Sequence, residues 1–239
     1  MRSDGRLVEE IRPLTLQRDY SRYAHGSVFV TMGETRVLCT AMIEDKVPRH
    51  CFGQNCGWIT AEYNMLPSAN PNRKSLQQEP DGRAREIQRL IGRSLRAAVD
   101  LSQIGQRTIW IDCNVIHADG GTRAASITGG FVALVDALWK LREDKKIEAF
   151  PIKHSIAAVS VGIVEGRPLL DLTSAEDQAA EVDMNVVMTH NGRFVEVQGT
   201  AEREPFSRQH MDELMTLAAK GVDAIKRAQV NALKERLAV

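Results

Sequence analysis

Apolar and polar positions alternate with period two through the first part of the chain, between Arg12 and Met42. Residues 26–31, a turn at Met32-Gly33-Glu34 and residues 35–40 together predict a β-hairpin. After a stretch rich in Pro, Asn and Gln at 67–80 the period lengthens. Ile87, Leu90, Ile91, Leu95 and Ala98 then fall on one stripe of a helix that begins near Arg83. Residues 108–116 are apolar enough for a central strand and run into Asp119-Gly120-Gly121-Thr122-Arg123. A second helix follows, with Ile127, Phe131, Leu134, Leu138 and Leu141 keeping the 3.6-residue period. Its early turns hold Ala124, Ala125, Ser126, Gly129 and Gly130. Two interior glycines cost roughly 1 kcal/mol each relative to alanine, so close packing is expected there.

The charged stretch 142–146, closed by Phe150-Pro151, divides the chain into an N-terminal half, 1–146, and a C-terminal half, 147–239. The second half opens with strands at 155–164 and 168–172, on either side of Gly166. Two further strands, 181–189 and 194–200, meet at Asn191-Gly192, a strong hairpin turn. A last amphipathic helix starts after Ser207 as N-cap and turns Leu214, Leu217, Ala218 and Val222 inward.

Composition narrows the function. The 239 residues are 43% hydrophobic and 26% charged, and 31 basic residues balance 31 acidic ones, so no global field draws the protein to nucleic acid or a membrane. A site for a polyanion must be a local cluster. Cys39, Cys51, Cys56 and Cys113 form no C-x-x-C pair and read as reduced thiols of a cytoplasmic protein. His50, Cys51 and Cys56 lack a well-spaced fourth ligand for zinc. The start is charged where a signal peptide would be apolar, and no apolar run reaches the ~20 residues of a membrane span.

Three constellations carry chemistry. In Asp119-Gly120-Gly121-Thr122-Arg123, two glycines let the backbone approach an anion, the following helix offers unpaired N–H groups, Thr122 adds a hydroxyl and Arg123 a forked cation. An ordinary Gly-rich turn with a surface arginine is the alternative. The second constellation, residues 82–96, holds five arginines and one glutamate, a net +4. Arg85, Arg89, Arg93 and Arg96 recur every three or four residues, so they share a face suited to phosphates or subunit contacts, or a solvated basic face paired with carboxylates elsewhere. Arg83 stands apart at the helix start, where it opposes the helix dipole unless an anion lies between. The third contains Asp177, Glu181, Asp183 and Asn185. On a strand from 181 the last three face one way and Val182, Met184 and Val186 the other, giving oxygen ligands suited to Mg²⁺ or Mn²⁺, or a solvated face. Glu62, Glu196 and Glu202 are further acidic candidates without a local argument. The six histidines have no H-E-x-x-H or G-x-S-x-G companion, and none is assigned a role.

Longer stretches add a resemblance. Arg2-x-x-Gly5-Arg6, Gly57-Trp-Ile-Thr-Ala-Glu-Tyr63 with Met65-Leu-Pro67, residues 86–96, Ala118-Asp-Gly-Gly-Thr-Arg123, Ser126-Ile-Thr-Gly129, Ala180-Glu-Val-Asp-Met-Asn-Val186 and Val197-Gln-Gly-Thr200 closely resemble the ribonuclease PH family over nearly the whole chain. The resemblance implies an α+β fold of two related β-sheet/helix halves in one compact unit, assembled as a homohexameric ring, a trimer of dimers. It implies a phosphorolytic 3′→5′ exoribonuclease that trims tRNA precursors, and in some settings rRNA, transferring the terminal nucleotide to inorganic phosphate and releasing a nucleoside 5′-diphosphate. The family's phosphate-binding residues fall on Arg83, Gly121, Thr122 and Arg123, and its metal-associated, catalytic aspartates on Asp177 and Asp183, with Mg²⁺ as the cofactor. Arg73, Arg89 and Arg93 are the candidate RNA contacts. Ala84 and Ala124 stand where threonines are usual, Asn114 where an aspartate is, and Ser68 where an arginine is; the 68–81 loop is short and less basic than in relatives, where it helps to hold tRNA. A non-catalytic ring subunit or RNA-binding scaffold of the same fold is the alternative, and a hydrolytic metal-dependent nuclease is a second rival.

Overall fold

The computed structural model describes residues 2–73 and 82–237. Two sheets carry the chain. The first has β1 (Leu14–Arg18), β2 (Gly26–Met32), β3 (Thr35–Glu44), β4 (Trp58–Met65) and β5 (Thr108–His117), in the order β1-β2-β3-β5-β4. Only β4 and β5 run parallel, and α1 (Gly82–Ala98) makes the crossover between them. Alternation sets the buried face: Val28 and Val30, Val37 and Cys39, Ile59 and Ala61, Ile109, Ile111 and Val115 lie under α1 and α2 (Thr122–Glu143).

The second sheet, in the order β7-β6-β8-β9, is antiparallel throughout. It comprises β6 (Ile156–Val164), β7 (Arg167–Leu170), β8 (Val182–Thr189) and β9 (Phe194–Ala201). β6 is buried on both faces from Ile156 to Ile163 because α2 covers one side and α4 (Arg208–Leu233) the other. The architecture is therefore α+β, two sheet-and-helix layers sharing the central helix α2.

That position explains the composition of α2. Among the described residues it is the one helix long and apolar enough by composition to cross a membrane, yet its side chains pack on both sheets. A side chain at Gly129 would run into Val30 and Cys39, and one at Gly130 would press on Ile111 and Leu95. The helical cost of those glycines is offset by the close approach of β2, β3 and β5.

The predicted hairpins and long helices are present. Ser207 caps α4 by accepting the His210 N–H at 3.1 Å, with Leu214, Ala218 and Val222 buried; Leu217 is only half-buried. The strand expected at 168–172 ends at Leu170, because Asp171 takes a left-handed φ of 55° and turns its carboxylate toward the first half. The arginine face of α1 divides. Arg96 turns inward, donating to the Ile59 carbonyl at 2.8 Å with its guanidinium 4.4 Å from the centre of the Trp58 ring, while Arg93 is held by Glu196 of β9 at 2.7 Å.

Candidate active site

The Asp119–Arg123 segment lies between the end of β5 and the start of α2, against the loop that leaves β7. Gly120 and Gly121 have φ of 73° and 65°, which side chains rarely adopt. A side chain at Gly120 would collide with the Leu172 carbonyl, so the two loops touch backbone to backbone.

Arg12 fixes this junction. Its Nε and Nη2 donate to Asp171 at 2.9 and 2.7 Å, its backbone N–H donates to the same carboxylate at 2.7 Å, and its Nη1 donates to the Asp119 carbonyl. Burial alone would lower the Arg12 pKa; the hydrogen bonds and charge of Asp171 more than reverse this. Thr35 Oγ1 donates to the Gly120 carbonyl at 2.7 Å and accepts the Asp119 N–H at 3.0 Å, while Asp119 Oδ1 accepts the Ser174 N–H at 3.1 Å.

A second pair locks the neighbouring element. α3 (Ser174–Ala179) starts in a capping box: Thr173 Oγ1 accepts the Glu176 N–H, and Glu176 accepts the Thr173 N–H at 2.9 Å. Arg2 reaches across from the N-terminal arm to grip Glu176 through two bonds of 2.8 and 2.7 Å, and it donates to the carbonyls of Leu170 and Asp171. α3 is too short to be stable alone, and these contacts hold it and its Asp177 against the first half.

Within this frame the candidate residues converge. Alternation along β8 sends Val182, Met184 and Val186 into the α4 core, leaving Asp183 on the opposite face, beside Gly162 of β6. Asp177 is exposed as a residue, yet its carboxylate is partly desolvated. This desolvation, with the charges of Asp183 and Glu202, pushes its pKa up, partly offset by Arg83 and Arg123. The same two arginines act on buried Tyr63 at the end of β4, whose pKa burial raises. Arg83, Arg123, Tyr63, Asp177, Asp183 and Glu202 thus share one electrostatic neighbourhood drawn from both sheets.

This neighbourhood suits an anion at its basic end. α2 begins on Gly121 with no side-chain cap and no acidic residue in its first turn, and Arg123 sits in that turn. The Arg123 Nε is buried without a hydrogen-bond partner among the described residues, and its Nη2 has only a loose ion pair to Glu86 at 3.9 Å. A buried unpaired guanidinium N–H is costly, and an oxyanion in front of the Gly121-Thr122 backbone would satisfy it. At the acidic end, no set of three metal-binding side chains occurs among the described residues. The two carboxylates fit a hard divalent ion such as Mg²⁺, which commonly takes one or two protein carboxylates and completes its shell with water and substrate phosphate.

Of the candidate RNA contacts, Arg73 and Arg89 are exposed and Arg93 is engaged by Glu196; residues 74–81 of the loop lie outside the described residues. Tyr63, the Arg12–Asp171 and Arg2–Glu176 pairs and the short helix α3 escaped the sequence reading. Tyr63 and the paired arginines lie in quoted motifs or alternating runs, but no spacing joins them to partners 59 residues away for Tyr63 and more than a hundred for the arginines.

Three solved structures share the architecture. Rice (Oryza sativa) Rrp46 superposes with a TM-score of 0.80 at 20% identity, covering 98% of this chain and 100% of that one. A chain of the Archaeoglobus fulgidus exosome with RNA bound to the active site superposes with a TM-score of 0.79 at 20% identity, covering 95% and 91%. A chain of an archaeal exosome core gives 0.74 at 19% identity, covering 96% and 90%. At these identities the likeness establishes the fold. The sequence goes further: residues 10–139 match domain 1 of the RNase PH 3′ exoribonuclease family and residues 154–221 match domain 2, so the chain belongs to that family.

Proposed function

We propose that the protein is a phosphorolytic 3′→5′ exoribonuclease that trims the 3′ ends of tRNA precursors. The observation that carries this reading is the orphaned, buried Arg123 Nε beside the uncapped start of α2, in one neighbourhood with Arg83, Asp177 and Asp183. Arg83, Arg123, the Gly121 and Thr122 backbone and the Thr122 hydroxyl hold orthophosphate. An oxygen of that phosphate attacks the terminal phosphodiester; the new P–O bond forms as the bond to the 3′-oxygen breaks, and the products are a nucleoside 5′-diphosphate and RNA one residue shorter. One of Asp177 and Asp183 assists protonation of the departing 3′-oxygen. Mg²⁺, held by the same pair and by phosphate oxygens, would offset charge on the reacting phosphoryl group.

Arg73 and Arg89 are available to the RNA backbone, and the archaeal relative carries RNA at its active site. Assembly as a homohexameric ring, a trimer of dimers, belongs to the same proposal. The shared fold with exosome chains favours a second reading, a non-catalytic ring subunit. Retention of Arg83, Gly121-Thr122-Arg123, Asp177 and Asp183 together weighs against it. Incubation with a 3′-extended tRNA precursor separates the readings. Shortening that requires orthophosphate supports the enzyme, and an RNA that binds but stays intact supports the scaffold.

A further inference from the structure

We propose that Tyr63 is a positioning residue that sets the polarity of the Thr122 hydroxyl toward bound phosphate; this rests on the phosphorolytic reading. Tyr63 sits on the inward face of β4 with Ile59 and Ala61, opposite Cys113 of β5, and is 5% exposed. Its ring belongs to the main core, so its position is fixed by packing. Its hydroxyl leaves that core at one point, donating to Thr122 Oγ1 at 3.0 Å in the first turn of α2.

The direction of that bond decides what Thr122 can do. A threonine hydroxyl has one hydrogen and two lone pairs. When Tyr63 donates into one lone pair, the Thr122 hydrogen remains free for a phosphate oxygen, and the Tyr63–Thr122–phosphate chain polarises in one sense. With the bond reversed, Thr122 would turn lone pairs toward the anion and repel it. Burial, the largest influence on Tyr63, raises its pKa, so the phenol keeps the proton it needs to donate. The nearby Arg83 and Arg123 supply charge, whereas Tyr63 supplies orientation.

The test is steady-state phosphorolysis by the full-length enzyme with orthophosphate varied at saturating RNA, then RNA varied at saturating phosphate. Tyr63→Phe keeps the ring and removes only the donor. The expected result is a KM for phosphate raised about three- to tenfold, the loss of one hydrogen bond. The KM for RNA and kcat at saturating phosphate should stay within about twofold. Thr122→Val should raise the phosphate KM at least as far, and adding Tyr63→Phe to it should change nothing more, because the two act as one unit.

An unchanged phosphate KM in Tyr63→Phe, multiplying effects in the double variant, or a parallel fall in kcat and RNA affinity would overturn the inference while leaving phosphorolysis standing. A wild-type enzyme that shortens RNA without phosphate would overturn both.

Discussion

Arg12 and Asp171, 159 residues apart, form a two-pronged ion pair whose side chains are 3% and 1% exposed, and it holds the Asp119–Arg123 loop against the loop leading to Asp177. Breaking a buried pair from one side leaves an uncompensated charge. Arg12→Ala or Asp171→Ala should therefore destabilise the fold by about 3–5 kcal/mol, read from urea unfolding at pH 7. A midpoint close to that of the wild type would show that the junction is held by packing alone.

The Arg2–Glu176 pair gives the site an acid limit. Burial on its own would raise the Glu176 pKa, but the Arg2 hydrogen bonds, the Thr173 N–H and the charges of Arg2 and Arg6 bring it below its ordinary 4.5. A depressed carboxylate pKa contributes stability that is complete above 4.5 and is lost as pH falls through the folded value. Glu176→Gln should thus lower the melting temperature at pH 7, and the gap from wild type should narrow steadily on acidification below about 4.5. A constant gap across that window would contradict the linkage.

Arg123 should act on phosphate more than on RNA. Arg123→Ala is expected to raise the phosphate requirement of phosphorolysis roughly 10–100-fold, as loss of one or two charged hydrogen bonds should. Arg123→Lys should recover only part of this, since an ammonium lacks the planar fork. Initial rates against orthophosphate concentration make the comparison, and unchanged phosphate dependence in Arg123→Ala would remove the residue from the cradle.

Gly120 has no room for a side chain. Gly120→Ala combines a φ of 73° with a collision against the Leu172 carbonyl, so it should lower stability by at least about 1–2 kcal/mol and weaken phosphate use together. Gly166, also at positive φ but with nothing nearby to meet a side chain, is the control: alanine there should lower stability without the phosphate effect. Thermal melts and phosphate titrations of the two variants decide.

Much of this arrangement can be read along the chain because it rests on local periodicity. The stripe of α1, the Asn191-Gly192 turn and the Ser207 cap each depend on neighbours within a few residues. Asp183 was legible for the same reason, since Val182 and Met184 fix its face. What was hidden depends on distant partners. β4 is an edge strand joined to β5 across the whole of α1, α3 is six residues stabilised from the N-terminal arm, and the Tyr63–Thr122 bond spans 59 residues. The even spacing of arginines in α1 allows pairing with carboxylates elsewhere but does not say which arginine pairs: Arg93 meets Glu196, Arg96 turns inward and Arg89 remains exposed.

The most direct measurement is the chemical identity of the nucleotide released from a 3′-labelled RNA, resolved by thin-layer chromatography. With orthophosphate present, nucleoside 5′-diphosphate is the expected product, and nothing is released when phosphate is withheld. Nucleoside 5′-monophosphate appearing at the same rate in both reactions would mean that water, not phosphate, is the nucleophile.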